Sequence, residues 1–218
     1  ARIGHRSQSA NNGLTNGNSF SMVGNGGDGT SSYLIDAALA PFIGVQDHVA
    51  MGGGATFAAV GDLTVDLALN GNTTRDINYL ATGDLTVLKG VQNANTTANA
   101  GDVNLVAGLD GLSPSLDFLD KVPMRDFDIA PVLADDARWG NNGSVLTIGG
   151  GSQTAHIAVG SAGGTTTALG YAVEVIASTA GHYAQIGFAP AAGVSPDGDI
   201  TVKAKEGGVS LRGGDLFN

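Results

Sequence analysis

The chain has 218 residues, 42% of them hydrophobic and 14% charged, with 35 Gly and no Cys. That is enough chain and apolar content for one large domain or two small ones, and it excludes disulfide frameworks and thiolate metal sites. The formal net charge is −10, from 20 acidic against 10 basic side chains; no window gathers enough Lys and Arg to neutralise a row of phosphates, which excludes nucleic acid as a partner class.

The chain opens at Ala1-Arg2-Ile3, with neither an initiator Met nor a signal-peptide apolar stretch, and reads as one piece of a longer repetitive polypeptide. Ala1-Arg2-Ile3-Gly4-His5 has the look of a short strand. Residues 6–29 are rich in Gly and Asn, with Phe20, Met22 and Val23 as their few packing residues, and read as a loop holding one short strand. Residues 33–42 fit either a helical turn or two ended by Pro41, or two short strands.

The middle of the chain repeats. Gly61-Asp62-Leu63-Thr64-Val65 is followed by Gly83-Asp84-Leu85-Thr86-Val87, by Gly101-Asp102-Val103-Asn104-Leu105 and, far downstream, by Gly198-Asp199-Ile200-Thr201-Val202. Gly143-Ser144-Val145-Leu146-Thr147-Ile148 is a degenerate further copy. The first offsets are 22 and 18 residues, within the range of stacked β repeats. Each copy alternates apolar and polar residues after a Gly-Asp corner, the pattern of a half-buried strand. Leu63, Val65, Leu85, Val87, Val103, Leu105, Ile200 and Val202 are therefore expected to share one core. Between the copies, Asn70-Gly71-Asn72, Asn93-Ala94-Asn95 and Asn99-Ala100-Gly101 mark corners. Ala155-His156-Ile157-Ala158-Val159-Gly160 and Tyr183-Ala184-Gln185-Ile186-Gly187-Phe188 form a second class of short strand.

Residues 110–138 break the rhythm, with seven Asp, three of the six Pro, and apolar anchors that include Phe118, Phe127 and Ile129. They read as an irregular insertion laid as a flap over the main body.

These Gly-Asp-aliphatic-Thr-Val strands, with the Ala-Arg-Ile-Gly-His and Tyr-Ala-Gln-Ile-Gly-Phe pieces and the closing Gly198 to Gly214 stretch, resemble the repeats of filamentous haemagglutinin-type surface proteins. The likeness covers residues 51–109 and 143–214, and residues 1–5 as a fragment. It implies an all-β, right-handed parallel β-helix, export to the bacterial cell surface, and a role in adhesion or fibre formation. It supplies no catalytic residues.

The search for chemistry finds little. Gly24-Asn25-Gly26-Gly27-Asp28-Gly29 occurs once, whereas a calcium-binding repeat needs successive turns, so it reads as a Gly-rich loop. Asp62, Asp84, Asp102 and Asp199 align into a column if the repeats stack in register; capping of corner N–H groups explains them better than a cation does. Asp126, Asp128, Asp135 and Asp136 have the carboxylate density of β-helical glycosidases and lyases, but their spacing does not supply one raised and one ordinary carboxyl across a sugar, and solvated residues of an acidic insertion explain them better. His5, His48, His156 and His182 lack metal-ligand spacing. Asn72-Thr73-Thr74, Asn95-Thr96-Thr97 and Asn142-Gly143-Ser144 satisfy the glycosylation rule in a chain where chance matches are expected.

No residue is assigned a catalytic, cofactor-binding or metal role, and the chain reads as a non-enzyme. The expectation is a single segment, residues 1–218, of a secreted, filament-forming bacterial surface protein. It associates head to tail and contacts glycans or proteins of a host or neighbouring cell. A β-helical polysaccharide lyase or glycoside hydrolase, and a phage-type fibre module, are the alternatives.

Overall fold

A computed structural model describes residues 20–25, 32–36, 48–51, 55–66, 68–110, 129–189 and 194–213. Residues 1–5 and most of residues 6–29, along with Phe118, Asp126, Phe127 and Asp128, lie outside that set.

The secondary structure is almost entirely β. One group of strands comprises β1 (Phe20–Asn25), β4 (Ala55–Val60), β7 (Ile77–Ala81) and β10 (Val103–Val106). A second comprises β2 (Ser32–Asp36), β5 (Asp62–Asp66), β8 (Leu85–Val87) and β11 (Val145–Gly149). Both groups end on the eleven-residue β13 (Thr166–Ile176), whose first half pairs β10 and whose second half pairs β11. The thirteen-residue β15 (Ile200–Arg212) then pairs the far side of β13 along both halves. The result is a ten-stranded sheet of order β1-β4-β7-β10-β13-β11-β8-β5-β2, with β15 added on β13. A separate five-stranded sheet holds β3 (His48–Met51), β6 (Ala68–Gly71), β9 (Val91–Asn93), β12 (Ile157–Ser161) and β14 (Ala184–Ile186). All of these pairings are parallel.

This corrects the expected architecture. The all-β character holds, but the chain is not the right-handed parallel β-helix of short strands and regular corners that the repeats suggested. β13 and β15 each continue as one strand past an irregularity at Gly170–Ala172, and they fuse two strand groups into one sheet. That sheet doubles back at β13 until its arms face each other, a nearly closed, barrel-like arrangement with the second sheet beside it.

Alternation determines which side of each strand faces the interior. In β5 and β8 the Leu and Val side chains are buried while the Thr between them is half-exposed. Register then stacks like on like: Leu63 pairs Leu85, Leu85 pairs Leu146 and Leu146 pairs Val173. Tyr79, Leu105 and Ala168 align in the other arm, and Leu69, Val91 and Val159 in the second sheet. All belong to one core cluster. Each fully buried Leu or Val contributes about 2 kcal/mol of hydrophobic stabilisation before the entropy of ordering is counted. Six of the eight residues expected in the shared core are fully buried there; Val202 packs against it half-buried, and Ile200 stays 53% exposed on β15.

The Gly-Asp corners work as the residue types demand. Gly61 holds φ at 111°, a conformation costly for any side-chain-bearing residue, between β4 and β5. On the outer face of the first arm, Leu80, Val106 and Leu169 are buried as well. A short helix, α1 (Ala130–Leu133), covers them through Ile129, Val132 and Trp139. The described end of residues 110–138 thus lies against the sheet, which is why β7 and β10 are buried on both faces.

Candidate functional site

Three features are candidates for function: the corner aspartates, the open face of β15, and a groove at the end of β13.

The aspartates cap backbone. The Asp62 carboxylate accepts from the Asp84 N–H at 2.8 Å, and the Asp84 carboxylate accepts from the Val145 N–H at 2.8 Å. In the other arm Asp76 accepts from the Asp102 N–H at 2.9 Å and Asp102 from the Thr165 N–H at 2.7 Å. Each carboxylate satisfies an amide of the next strand along the sheet, which removes the need for a bound cation to separate like charges. Burial pushes the Asp102 carboxyl above its ordinary range, and the bond from Thr165 opposes that rise. Asp199 occupies the same register position on β15, the last strand of the row, and is exposed. Asp76 was not among the residues singled out from sequence, because Arg75-Asp76 lacks the Gly of the repeat.

The corners are also satisfied by buried amides. Asn93 accepts from the Thr73 and Asn95 N–H groups at 3.0 and 3.3 Å and donates to the Thr73 and Gly101 carbonyls at 2.9 and 2.8 Å. It is fully buried. The three glycosylation-type motifs lie at such corners, where Thr73 and Ser144 are buried and Asn95 accepts from the Thr97 N–H at 2.9 Å.

β15 presents the opposite situation. Ile200, Val209 and Leu211 are 53%, 52% and 78% exposed, an unusual display for large apolar side chains on one strand. Among the described residues β15 pairs β13 alone, so its other edge offers free N–H and C=O groups. Lys203 reaches back to the Leu133 carbonyl at 3.3 Å and Lys205 to the Trp139 carbonyl at 3.4 Å. Arg212 pairs with Glu174 at 3.6 Å.

Beside the end of β15 is a groove of about 570 Å³ lined by residues that include Val175, Thr179, His182, Tyr183, Leu211 and Arg212. The His156 ring stacks on Tyr183 with centroids 4.1 Å apart, and the His182 ring lies 5.4 Å from His156. The Tyr183 N–H donates to His156 Nδ1 at 3.2 Å. The groove was not visible in the sequence, since it joins two segments, residues 175–184 and 211–213, that the parallel pairing of β13 with β15 brings together. Among the described residues no three His, Asp or Glu side chains are grouped to hold a metal ion.

The remaining candidates are dispersed. Asp135 caps a 3₁₀ turn (Asp136–Arg138) by accepting from the Ala137 N–H at 3.0 Å, and Asp136 is exposed. His48 lies on β3. Gly24 and Asn25 end β1, and residues 26–31 lie outside the described set. No helix among the described residues is long and apolar enough to cross a membrane.

No family model, curated protein or solved structure matches the chain.

Proposed function

We propose that the chain is a structural, self-associating segment of an extracellular bacterial surface protein, with adhesive contacts made along its flanks. The observation that carries this reading is β15: a thirteen-residue parallel strand whose second edge has no partner among the described residues, with Ile200, Val209 and Leu211 exposed. An edge of that length and apolarity is a template for another strand, and soluble proteins that do not use such an edge blunt it. The Asp and Asn corners support the same reading, because their carboxylates and amides serve the backbone and are not left over for chemistry. The groove with its stacked His156–Tyr183 pair supports the adhesive part: a flat ring face beside Arg212 is the kind of surface on which a sugar or an aromatic side chain packs.

Sedimentation velocity across a concentration series, with electron microscopy of the same samples, tests the reading. Elongated species that grow with concentration are expected, favoured by added salt because the net charge of −10 opposes association. A compact monomer at every concentration and salt would overturn it.

A further inference from the structure

From the strand registers we infer the junction itself: β15 of one copy pairs in parallel with β1 and β2 of a second copy, Ile200 opposite Phe20 and Val209 opposite Tyr33. This deepens the self-association reading and rests on it.

The registers determine the match without adjustment. In the first arm Phe20 pairs Ala55, Ala55 pairs Ile77, Ile77 pairs Val103, Val103 pairs Thr166 and Thr166 pairs Ile200. In the second arm Tyr33 pairs Leu63, Leu63 pairs Leu85, Leu85 pairs Leu146, Leu146 pairs Val173 and Val173 pairs Val209. One more step of the same parallel pairing returns each row to its first residue in the next copy. β15 spans both rows, and among the described residues the two strands at the opposite ends of the sheet, β1 and β2, are the first strands of those rows. A single translation therefore brings both halves of β15 onto their partners at once. β15 already accommodates an unequal connection, placing three residues, Lys205, Glu206 and Gly207, against Tyr171 alone where its register with β13 shifts.

Most residues along the two edges match in that register, the exceptions being Lys203 opposite Val23 and Ser210 opposite Leu34. Ile200 meets Phe20, Thr201 meets Ser21 and Val202 meets Met22; Val209 meets Tyr33, Leu211 meets Ile35 and Arg212 meets Asp36. Five of these positions pair like with like, and the sixth pairs opposite charges. The Thr201–Ser21 step also extends a polar row through Thr56, Asn78, Asn104 and Thr167, within which Asn104 donates to Asn78 at 2.9 Å. Arg212 and Asp36 would add to the cross-strand ion pairs already present, Lys89 with Asp66 at 3.6 Å and Arg212 with Glu174 at 3.6 Å. The exposed Asp199 carboxylate sits where Asp76 and Asp102 each cap the following strand, ready to cap the incoming one. Because the contact is heterologous and built by translation, it leaves the same two edges free and propagates as a filament.

The absence of native Cys makes the register directly measurable. Paired positions on neighbouring parallel strands lie about 5 Å apart, inside the disulfide range, whereas positions two residues out of register lie roughly 7–8 Å apart, outside it. A chain carrying Val209→Cys is mixed with one carrying Tyr33→Cys, or with one carrying Ile35→Cys, and oxidised mildly; Ile200→Cys with Phe20→Cys repeats the test in the other row. Circular dichroism matching the parent confirms that each variant folds. The expected result is a covalent heterodimer in excess for the two in-register pairs and not for the shifted pair. Arg212→Asp should lower association about five- to tenfold, and Asp36→Arg in the partner should restore it. Association that persists with equal trapping of both registers, or with no rescue, overturns this junction and leaves self-association standing. A chain that never associates overturns both.

Discussion

The Asp62 carboxylate accepts a hydrogen bond from the N–H of Asp84, the aspartate at the equivalent corner one strand further along the sheet. Asp84 repeats the act toward Val145. A column of acidic residues that looks self-repelling in the sequence is thus a chain of caps, each charge neutralised in part by the amide dipoles of the next corner.

Asp84→Ala should therefore destabilise the fold by about 1 kcal/mol, the worth of one charge-assisted bond at an exposed corner. Asp84→Asn, which keeps an acceptor, should cost less. Urea unfolding of the two variants beside the parent checks the order; equal losses would mean that the carboxylate acts through something other than the Val145 amide.

Asp102 gives a pH signature. Its carboxyl is raised chiefly by burial, so the folded state holds the proton more tightly than the unfolded chain does. The sign follows by linkage: the favourable contribution is fully present below the unfolded value and is lost as pH rises through the raised folded value. Stability should decline over that interval in the parent and stay flatter in Asp102→Asn, which still accepts from Thr165. Thermal melts from the acid range to neutrality measure the difference in slope.

Val87 tests the core register. It is fully buried between Val65 and Ile148 in the stacked row. Val87→Asp would place an uncompensated carboxylate there and should cost about 3–5 kcal/mol. Val87→Ala should cost roughly 1–3 kcal/mol by cavity formation alone. Denaturation curves of the pair separate burial of charge from loss of packing.

Asn93 tests the corner. All four of its side-chain hydrogen-bonding positions are filled within the protein. Asn93→Asp turns two donors into acceptors facing the Thr73 and Gly101 carbonyls, and a loss of about 3 kcal/mol is expected. Amide hydrogen exchange should show the loss concentrated around residues 71–75 and 93–101.

Sequence alternation was sufficient to place Leu63, Val65, Leu85, Val87, Val103 and Leu105 in one core, because a period of two with Gly-Asp at its start leaves little choice of face. It misplaced Ile200, whose copy of the motif is as good as the others. The motif reports which face an edge residue takes, but burial also needs a further strand, and β15 has none within the described residues. The fused sheet was not legible either. Gly170 interrupts residues 166–176 in sequence, yet β13 continues through it, since the pairings to β10, β11 and β15 on both sides override the local preference. Asn104 was read as a polar residue on the outer side of its strand; it is fully buried and bonded to Asn78, a pairing set by a register that spans 26 residues.

Parallel pairing in this protein does not depend on the length of chain between the paired strands. Leu63 and Leu85 are 22 residues apart, and Ile77 and Val103 are 26 apart, yet the members of each pair stand directly opposite one another. The difference is absorbed outside the paired strands, in stretches such as residues 94–102 between β9 and β10. An insertion or deletion confined to such a connection should therefore leave the paired core in place.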